Sequence, residues 1–296
     1  MRFSLRFWVI GVVAAILIAS ALYWVAQDSQ NLNEQRVSPG DSHVTLTFQG
    51  YTRTYDLHVP PQYDGKTLLP LVFALHPYGG NASAFENTTD FNKEADAEGF
   101  FVVYPQGLNG SWNAGTCCRP PSQQIFDDVG FINTILVTLK SELVVNDSRV
   151  YVFGESNGGM LAYRLACDMS ADFAAIASVA GTSVVEGCNA TGPVSVLEIH
   201  GTADTVVPYN NTTRNASDLP VEPAVDAVSQ WAQRDGTVSV SQQQVGNNTV
   251  TTYGGGLNGT EVELYTINGA RHGWPPEIPT ADVIWRFFEQ HPRHSG

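Results

Sequence analysis

Val150-Tyr151-Val152-Phe153-Gly154-Glu155-Ser156-Asn157-Gly158-Gly159-Met160-Leu161-Ala162-Tyr163-Arg164-Leu165-Ala166-Cys167 is the stretch on which the fold turns. Its first four residues are β-branched or aromatic, a short apolar run of the kind that buried parallel strands carry. Asn157–Cys167 carries a helical pattern. Between the two lies only Gly154-Glu155-Ser156, which leaves room for a sharp turn and nothing longer. Small residues on both sides, Gly154 and Gly158, give that turn its space, and Gly159 adds more. Strand, tight turn and helix thus come one directly after another, with a serine at the apex.

Working outward, His43–Phe48 and Tyr51–Val59 alternate apolar and polar residues around Gln49-Gly50, the signal of a hairpin, and Pro60-Pro61 ends it. Leu71–Leu75, Phe100–Tyr104, Ala174–Val179 and Val194–Ile199 are further short apolar runs, and Val262–Ile267 reads as one more strand. Helical patterns occupy Ser83–Glu98, Val129–Leu143, Val225–Arg234 and Thr280–Gln290. Val129–Leu143 sets Phe131, Ile132, Ile135, Leu136 and Leu139 on one stripe; the last helix does the same with Val283, Ile284, Phe287 and Phe288, with Thr280 as its N-cap. A hairpin, then strand–helix alternation, then a closing helix implies an α/β fold: a mostly parallel central sheet with helices on both faces and an N-terminal β-hairpin. In such sheets the chemistry sits beyond the C-terminal ends of the strands.

Gly154-Glu155-Ser156-Asn157-Gly158 fits G-x-S-x-G, and its strand–turn–helix setting is that of a nucleophile elbow. A serine hydroxyl needs a base, and elbows of this kind use the chain order Ser, acid, His. Of the histidines after Ser156, His291 and His294 lie past the last helix, and His200 precedes every candidate acid; His272, in the loop before the last helix, remains. Asp204, in the loop after Val194–Ile199, is the expected acid, with Asp218, Asp226 and Asp235 as rivals in or near the later helical region. An oxyanion hole needs two N–H donors. Asn157 is expected to supply one, and His76-Pro77-Tyr78-Gly79-Gly80 the other; Pro77 has no N–H, which points to Tyr78.

Leu71–Ser83 (LVFALHPYGGNAS), Val102–Cys118 (VVYPQGLNGSWNAGTCC), Asp127–Phe131 (DDVGF), the elbow stretch, His200–Tyr209 (HGTADTVVPY) and the segments His272–Pro275 and Ile284–Pro292 occur in this order. Together they resemble the polyhydroxybutyrate depolymerase and feruloyl esterase group of the α/β-hydrolase superfamily, over residues 45–293. The resemblance implies a serine carboxylic-ester hydrolase that works through an acyl-enzyme, with Ser156, Asp204 and His272 as its triad. The expected partner is an ester substrate, a plant cell-wall polysaccharide or a polyester. Two positions depart from the group's pattern: Pro77 follows His76 where glycine is usual, and Glu155 precedes the serine where an apolar residue is usual. Glu155 is expected to face solvent or an internal partner. Trp112 and Trp274 are candidate linings of a substrate groove and suit core packing equally well, while Asp127 and Asp128 read as structural carboxylates. Two other readings carry different signals. A serine peptidase of this fold usually brings a propeller or cap segment, and a non-catalytic adhesion module usually loses the serine or the histidine.

The formal net charge is −14 with no basic run, so nucleic acid is not an expected partner. Arg2 and Arg6 precede an apolar run from Phe7 to Ala26. Residues 1–26 read as a signal peptide, with Ala19-Ser20-Ala21 as a cleavage step, or as a membrane anchor through residues 7–26; both export the remainder of the chain. Residues 27–41 read as a polar linker and 42–293 as one catalytic domain, secreted or held at the outer face of the membrane. Four cysteines in an exported chain suggest disulfides: Cys167 with Cys188, plus either a vicinal Cys117–Cys118 bridge or two free thiols. No His/Cys spacing suits a metal, and no cofactor is expected. Asn-x-Ser/Thr sequons recur, among them Asn81, Asn87, Asn109, Asn189, Asn247 and Asn258, which fits a eukaryotic secretory pathway. Native protein treated with an N-glycan-removing enzyme is expected to lose mass; an unchanged mass contradicts glycosylation.

Overall fold

In the computed structural model the described residues are 20, 37–118, 126–211 and 221–293. Within Pro39–Gly296 the described residues form one compact unit. The apolar run from Phe7 to Ala26, Ser20 apart, and most of the linker lie outside the described residues. Among the described residues no helix is long and apolar enough to cross a membrane.

Among the described residues ten strands form one sheet: β1 (Gly40–Phe48), β2 (Tyr51–Val59), β3 (Leu69–Leu75), β4 (Phe101–Pro105), β5 (Val145–Glu155), β6 (Ala175–Val179), β7 (Ser195–Gly201), β8 (Ser239–Val245), β9 (Asn248–Gly254) and β10 (Val262–Ile267). Their spatial order is β1-β2-β4-β3-β5-β6-β7-β10-β9-β8. The central six, from β4 to β10, run parallel. Antiparallel hairpins close both edges: β1–β2 joins β4, and β8–β9 joins β10. Side-chain chemistry follows position. β3, β4, β6 and β7 are buried along their whole length, as strands covered on both faces must be, while the edge strand β8 is exposed along its whole length.

The helices are α1 (Ala82–Thr89), α2 (Phe91–Glu98), α3 (Asp128–Glu142), α4 (Asn157–Asp168), α5 (Ala224–Arg234) and α6 (Thr280–Gln290). On one face of the sheet, Phe85, Phe91, Trp285, Phe287 and Phe288 from α1, α2 and α6 pack against Tyr151, Phe153, Leu197 and Ile267. Tyr151 stacks on Phe288 with ring centres 4.7 Å apart, and Phe100 on Trp285 at 4.0 Å. Glu198 alternates with Leu197 and therefore faces the other side, where it meets Tyr163 of α4, whose ring lies 5.7 Å from Trp231 of α5. Cys167–Cys188 and the vicinal Cys117–Cys118 pair are both disulfides. The first joins the end of α4 to the segment before β7, and closing a loop of that span contributes about 3 kcal/mol in the chain-entropy account.

The elements differ from the sequence expectations in the following respects. Ser83–Glu98 is two helices: Asp90 adopts a left-handed φ of 52°, ending α1 and opening α2. Thr280 is the first residue of α6 instead of its cap, and its hydroxyl donates to the Pro275 carbonyl (3.0 Å). β1 begins at Gly40, so the hairpin reaches into the stretch read as linker. The β8–β9 hairpin carries little apolar alternation in β8 and was not expected.

Asp127 and Asp128 have the structural roles read from the sequence. Asp127 caps α3 by accepting from the Gly130 N–H (2.8 Å). Asp128 is fully buried, pairs with Arg53 Nη2 of β2 (2.8 Å) and accepts from the Asn113 N–H (2.7 Å). Arg53 also donates to the Gln106 carbonyl and lies over the Phe131 ring at 3.7 Å. One ion pair thus ties β2, α3 and the 106–113 loop together. Arg53→Ala leaves a buried carboxylate without its cation and is expected to cost about 3–5 kcal/mol, read as a lower urea midpoint at unchanged m. Asp235, at the end of α5, is also buried, and burial pushes its carboxyl up to about 7 against the Val194 backbone and the Arg234 charge. The folded protein therefore keeps this proton where the unfolded chain has lost it, so stability falls as pH rises from about 4 to 7. Asp235→Asn is expected to raise Tm at pH 8 by about 2–4 °C, the shift for roughly 1 kcal/mol, and to add nothing near pH 4.

Candidate active site

Ser156 sits at the junction of β5 and α4 with φ 53° and ψ −116°, a conformation that non-glycine residues avoid. The neighbours explain how it is held. A Cβ on Gly158 would lie 2.1 Å from the Leu75 carbonyl oxygen, and one on Gly154 would lie 2.3 Å from the Gly158 carbonyl carbon. Only glycine lets the end of β3, the end of β5 and the start of α4 approach this closely. The Ser156 N–H donates to the Val179 carbonyl of β6 (2.8 Å), and its carbonyl accepts from the Met160 N–H (2.9 Å). The serine is thereby fixed from both its strand and its helix side.

His272 stands in the β10–α6 loop, with its Nε2 2.9 Å from Ser156 Oγ and its Nδ1 2.7 Å from Asp204 Oδ2. Asp204 lies in the β7–α5 loop and is fully buried. Its Oδ1 accepts from the Val206 and Val207 N–H groups at 2.8 and 3.0 Å. Burial alone would raise this carboxyl, but hydrogen bonds from His200 and His272, and their charge, outweigh it and hold the group well below the usual carboxylate range. The side chains of Ser156, His272 and Asp204 therefore make one continuous chain, carried on the C-terminal ends of β5, β10 and β7.

The 76–80 loop follows β3. Pro77-Tyr78-Gly79-Gly80 is a turn closed by Gly80 N–H to Pro77 carbonyl (3.0 Å), with Gly79 at φ 75°, the position where a type II turn needs glycine. Gly79 N–H donates to the Gly110 carbonyl (2.7 Å). The N–H groups of Gly79 and Gly80 are thus used inside the loop, and that of Tyr78 is the remaining one of the three. The Tyr78 side chain points outward, 61% exposed. His76 is buried and neutral by its contacts: Nδ1 faces the Pro77 carbonyl (2.8 Å), and Nε2 accepts from the Gly107 N–H (3.0 Å). Burial pushes its pKa down against the Pro77 hydrogen bond and the Asp128 charge. Among the described residues the one cis peptide is Cys117–Cys118, so Pro77 is trans.

Asn157 is the first residue of α4, where a backbone N–H has no partner within the helix. Its side chain is fully buried and reads the loop above it: Oδ1 accepts from the Trp112 N–H (2.8 Å) and the Ser111 hydroxyl, and Nδ2 donates to the Trp112 carbonyl. This clamp is invisible in the sequence, where Asn157 entered for its N–H alone. Trp112 is corrected. It is wholly buried, its indole N–H donates to the His76 carbonyl (2.8 Å), and it packs beside the His76 ring, so it supports the loop and cannot line a groove. Trp274 is half-buried beside Phe85 and Phe153. Glu155 is also half-buried and has an internal partner, the Trp274 backbone. Burial pushes its carboxyl up, while His272 and that hydrogen bond oppose the shift. Among the described residues no cluster of His, Cys, Asp and Glu could hold a metal ion.

The family model described as esterase PHB depolymerase matches residues 53–259, which include Ser156 and Asp204, while His272 lies beyond the match. Feruloyl esterase B of Piromyces equi is 29% identical over 72% of this chain, which spans 41% of that protein's length. A protein of Nocardia uniformis subsp. tsuyamanensis with an esterase designation, NocK, is 31% identical over 76% of this chain and 72% of its own. Among solved structures, an acetyl xylan esterase from Aspergillus awamori superposes with a TM-score of 0.64 over 84% of this chain and 99% of that one. At 18% identity that likeness speaks for the fold alone. The fold is that of the α/β-hydrolases, and the chain belongs to the esterase PHB depolymerase family of carboxylic ester hydrolases.

Proposed function

We propose that this chain is a serine esterase that works outside the cytoplasm and hydrolyses its substrate through an acyl-enzyme. The observation that carries the reading is the hydrogen-bonded chain Ser156–His272–Asp204. His272 Nε2 takes the Ser156 proton as Oγ attacks the ester carbonyl, then returns a proton to the leaving alcohol. Water, deprotonated by the same nitrogen, cleaves the acyl-enzyme in the second step. Asp204 holds the tautomer that leaves Nε2 free to accept, and it stabilises the imidazolium that forms. Asn157 N–H, at the start of α4, and Tyr78 N–H, in the turn after β3, are the donors for the oxyanion, each removal costing about 3–4 kcal/mol. Buried Trp112, held by Asn157 and His76, keeps the two donor segments in register.

Relatives named feruloyl esterase and acetylxylan esterase support an acyl group carried on plant cell-wall polysaccharide as the substrate. The family description supports a polyhydroxyalkanoate chain as the alternative. Export rests on the apolar N-terminal run, the sequons and the disulfides. Half-buried Trp274 lies in the His272 loop, where an aromatic face suits an aryl acyl group.

Ser156→Ala is expected to lower turnover of p-nitrophenyl acetate by about 10⁴-fold or more, and Asp204→Asn by about 10⁴-fold with the fold intact. Wild-type rates in either variant contradict the mechanism. A panel of methyl ferulate, acetylated xylan and polyhydroxybutyrate is expected to give the highest kcat/KM on one of the two cell-wall esters; preference for the polymer favours the alternative.

A further inference from the structure

The elbow and the His272 loop leave one strongly polar group of the core unexplained. Glu198 and His200 alternate on β7, so both project to the same face of the sheet, and both side chains are completely buried. His200 Nδ1 lies 2.8 Å from Glu198 Oε1. His200 Nε2 lies 3.0 Å from the Val207 carbonyl and 3.3 Å from Asp204 Oδ2. Tyr163, reaching in from α4, donates its hydroxyl to Glu198 Oε2 at 3.2 Å. The Tyr209 ring stands 6.2 Å away, centre to centre, and His272 reaches the cluster through Asp204.

We infer that His200 is held permanently as an imidazolium between Glu198 and Asp204, and that it is a positioning residue for the acid of the proposed triad. The inference rests on the reading of Ser156, His272 and Asp204 as that triad. It comes from counting donors. A neutral imidazole has one N–H and one lone pair, whereas both nitrogens of His200 face acceptors. The conflict disappears if the ring carries both protons or if Glu198 carries one. Burial pushes the Glu198 carboxyl up, against the hydrogen bond and charge of His200, and two contacts then favour the ion pair. The Tyr163 hydroxyl already donates to Glu198, which favours the carboxylate. The Asp204 carboxylate beside Nε2 favours the cation. Burial alone would lower the His200 pKa, but the hydrogen bonds to Asp204 and Glu198 prevail and push it up to about 10.

The consequence lies at Asp204. Its Oδ1 is fixed by two backbone N–H groups, and its Oδ2 is shared between His272 Nδ1 and His200 Nε2. His200 therefore helps fix the plane of the carboxylate that faces His272, and its positive charge offsets part of the Asp204 field there. Without that contact the Asp204 carboxylate is held by one donor fewer, so it orients His272 less well and the loss falls on kcat.

The direct test reads the ring itself. Wild-type protein labelled with ¹⁵N at histidine is monitored by long-range ¹H–¹⁵N correlation from about pH 5.5 to 9, with His200→Asn assigning the resonance. Both His200 nitrogens are expected to stay protonated throughout; one unprotonated His200 nitrogen at pH 7 overturns the inference. This state is read without turnover, so it fails or stands apart from the loss of activity in Ser156→Ala that tests the triad. In folded His200→Asn, kcat on p-nitrophenyl acetate is expected to fall by about tenfold or more with KM little changed. An unchanged kcat, or a loss that falls on KM alone, means that His200 only packs, and it also overturns the inference.

Discussion

The close approach of α4 to the end of β3 is the constraint on which the rest of the site depends. Gly158 sits where any side chain would run into the Leu75 carbonyl, and Gly154 sits where one would run into Gly158. With those two contacts made, Ser156 has no relaxed conformation open to it and adopts φ 53°. Strain of this kind costs about 1–3 kcal/mol and persists only where the surroundings over-determine it. Here the Val179 carbonyl of β6 and the first turn of α4 do so. The same approach brings the start of α4 next to the 76–80 loop, so the N–H groups of Asn157 and Tyr78 belong to segments packed against each other.

A second layer of buried polar contacts holds the loops that the elbow cannot reach. Asn157 bonds the Trp112 backbone on both sides, Trp112 bonds the His76 carbonyl, and His76 bonds Gly107. The Arg53–Asp128 pair then anchors this loop system to β2 and α3. These side chains lie deep in the protein and bond one another, and buried polar networks joined in this way fix one geometry. The opposite case is visible at Asp235, whose buried carboxyl is pushed up to about 7.

Much of this was legible in the sequence because it rests on local pattern. The hairpin around Gln49-Gly50, the apolar strands, the elbow at Ser156 and the helix after it depend on neighbouring residues and were readable from periodicity and glycine placement. The chain order Ser, acid, His narrowed the histidines to His272, which the structure brings to 2.9 Å from Ser156. What stayed hidden depends on contacts between distant residues. The sequence suits Trp112 equally to a groove or to the core, and only its contact with the distant His76 carbonyl places it in the core. His200 was set aside as a base by chain order, and nothing local reveals that it lies against Glu198 and Asp204. The β8–β9 hairpin was missed because an exposed edge strand such as Ser239–Val245 has no buried face to impose alternation. The split at Asp90 turns on a single left-handed residue inside an otherwise continuous helical pattern.

The proposed chemistry stands on Ser156 as an activated nucleophile. Labelling with a fluorophosphonate probe and then mapping peptides by mass tests it most directly, since an unactivated serine does not react. A single adduct is expected on Ser156, one that disappears in Ser156→Ala and forms much more slowly in Asp204→Asn. An adduct on another serine, or a folded protein that takes up no probe, contradicts it.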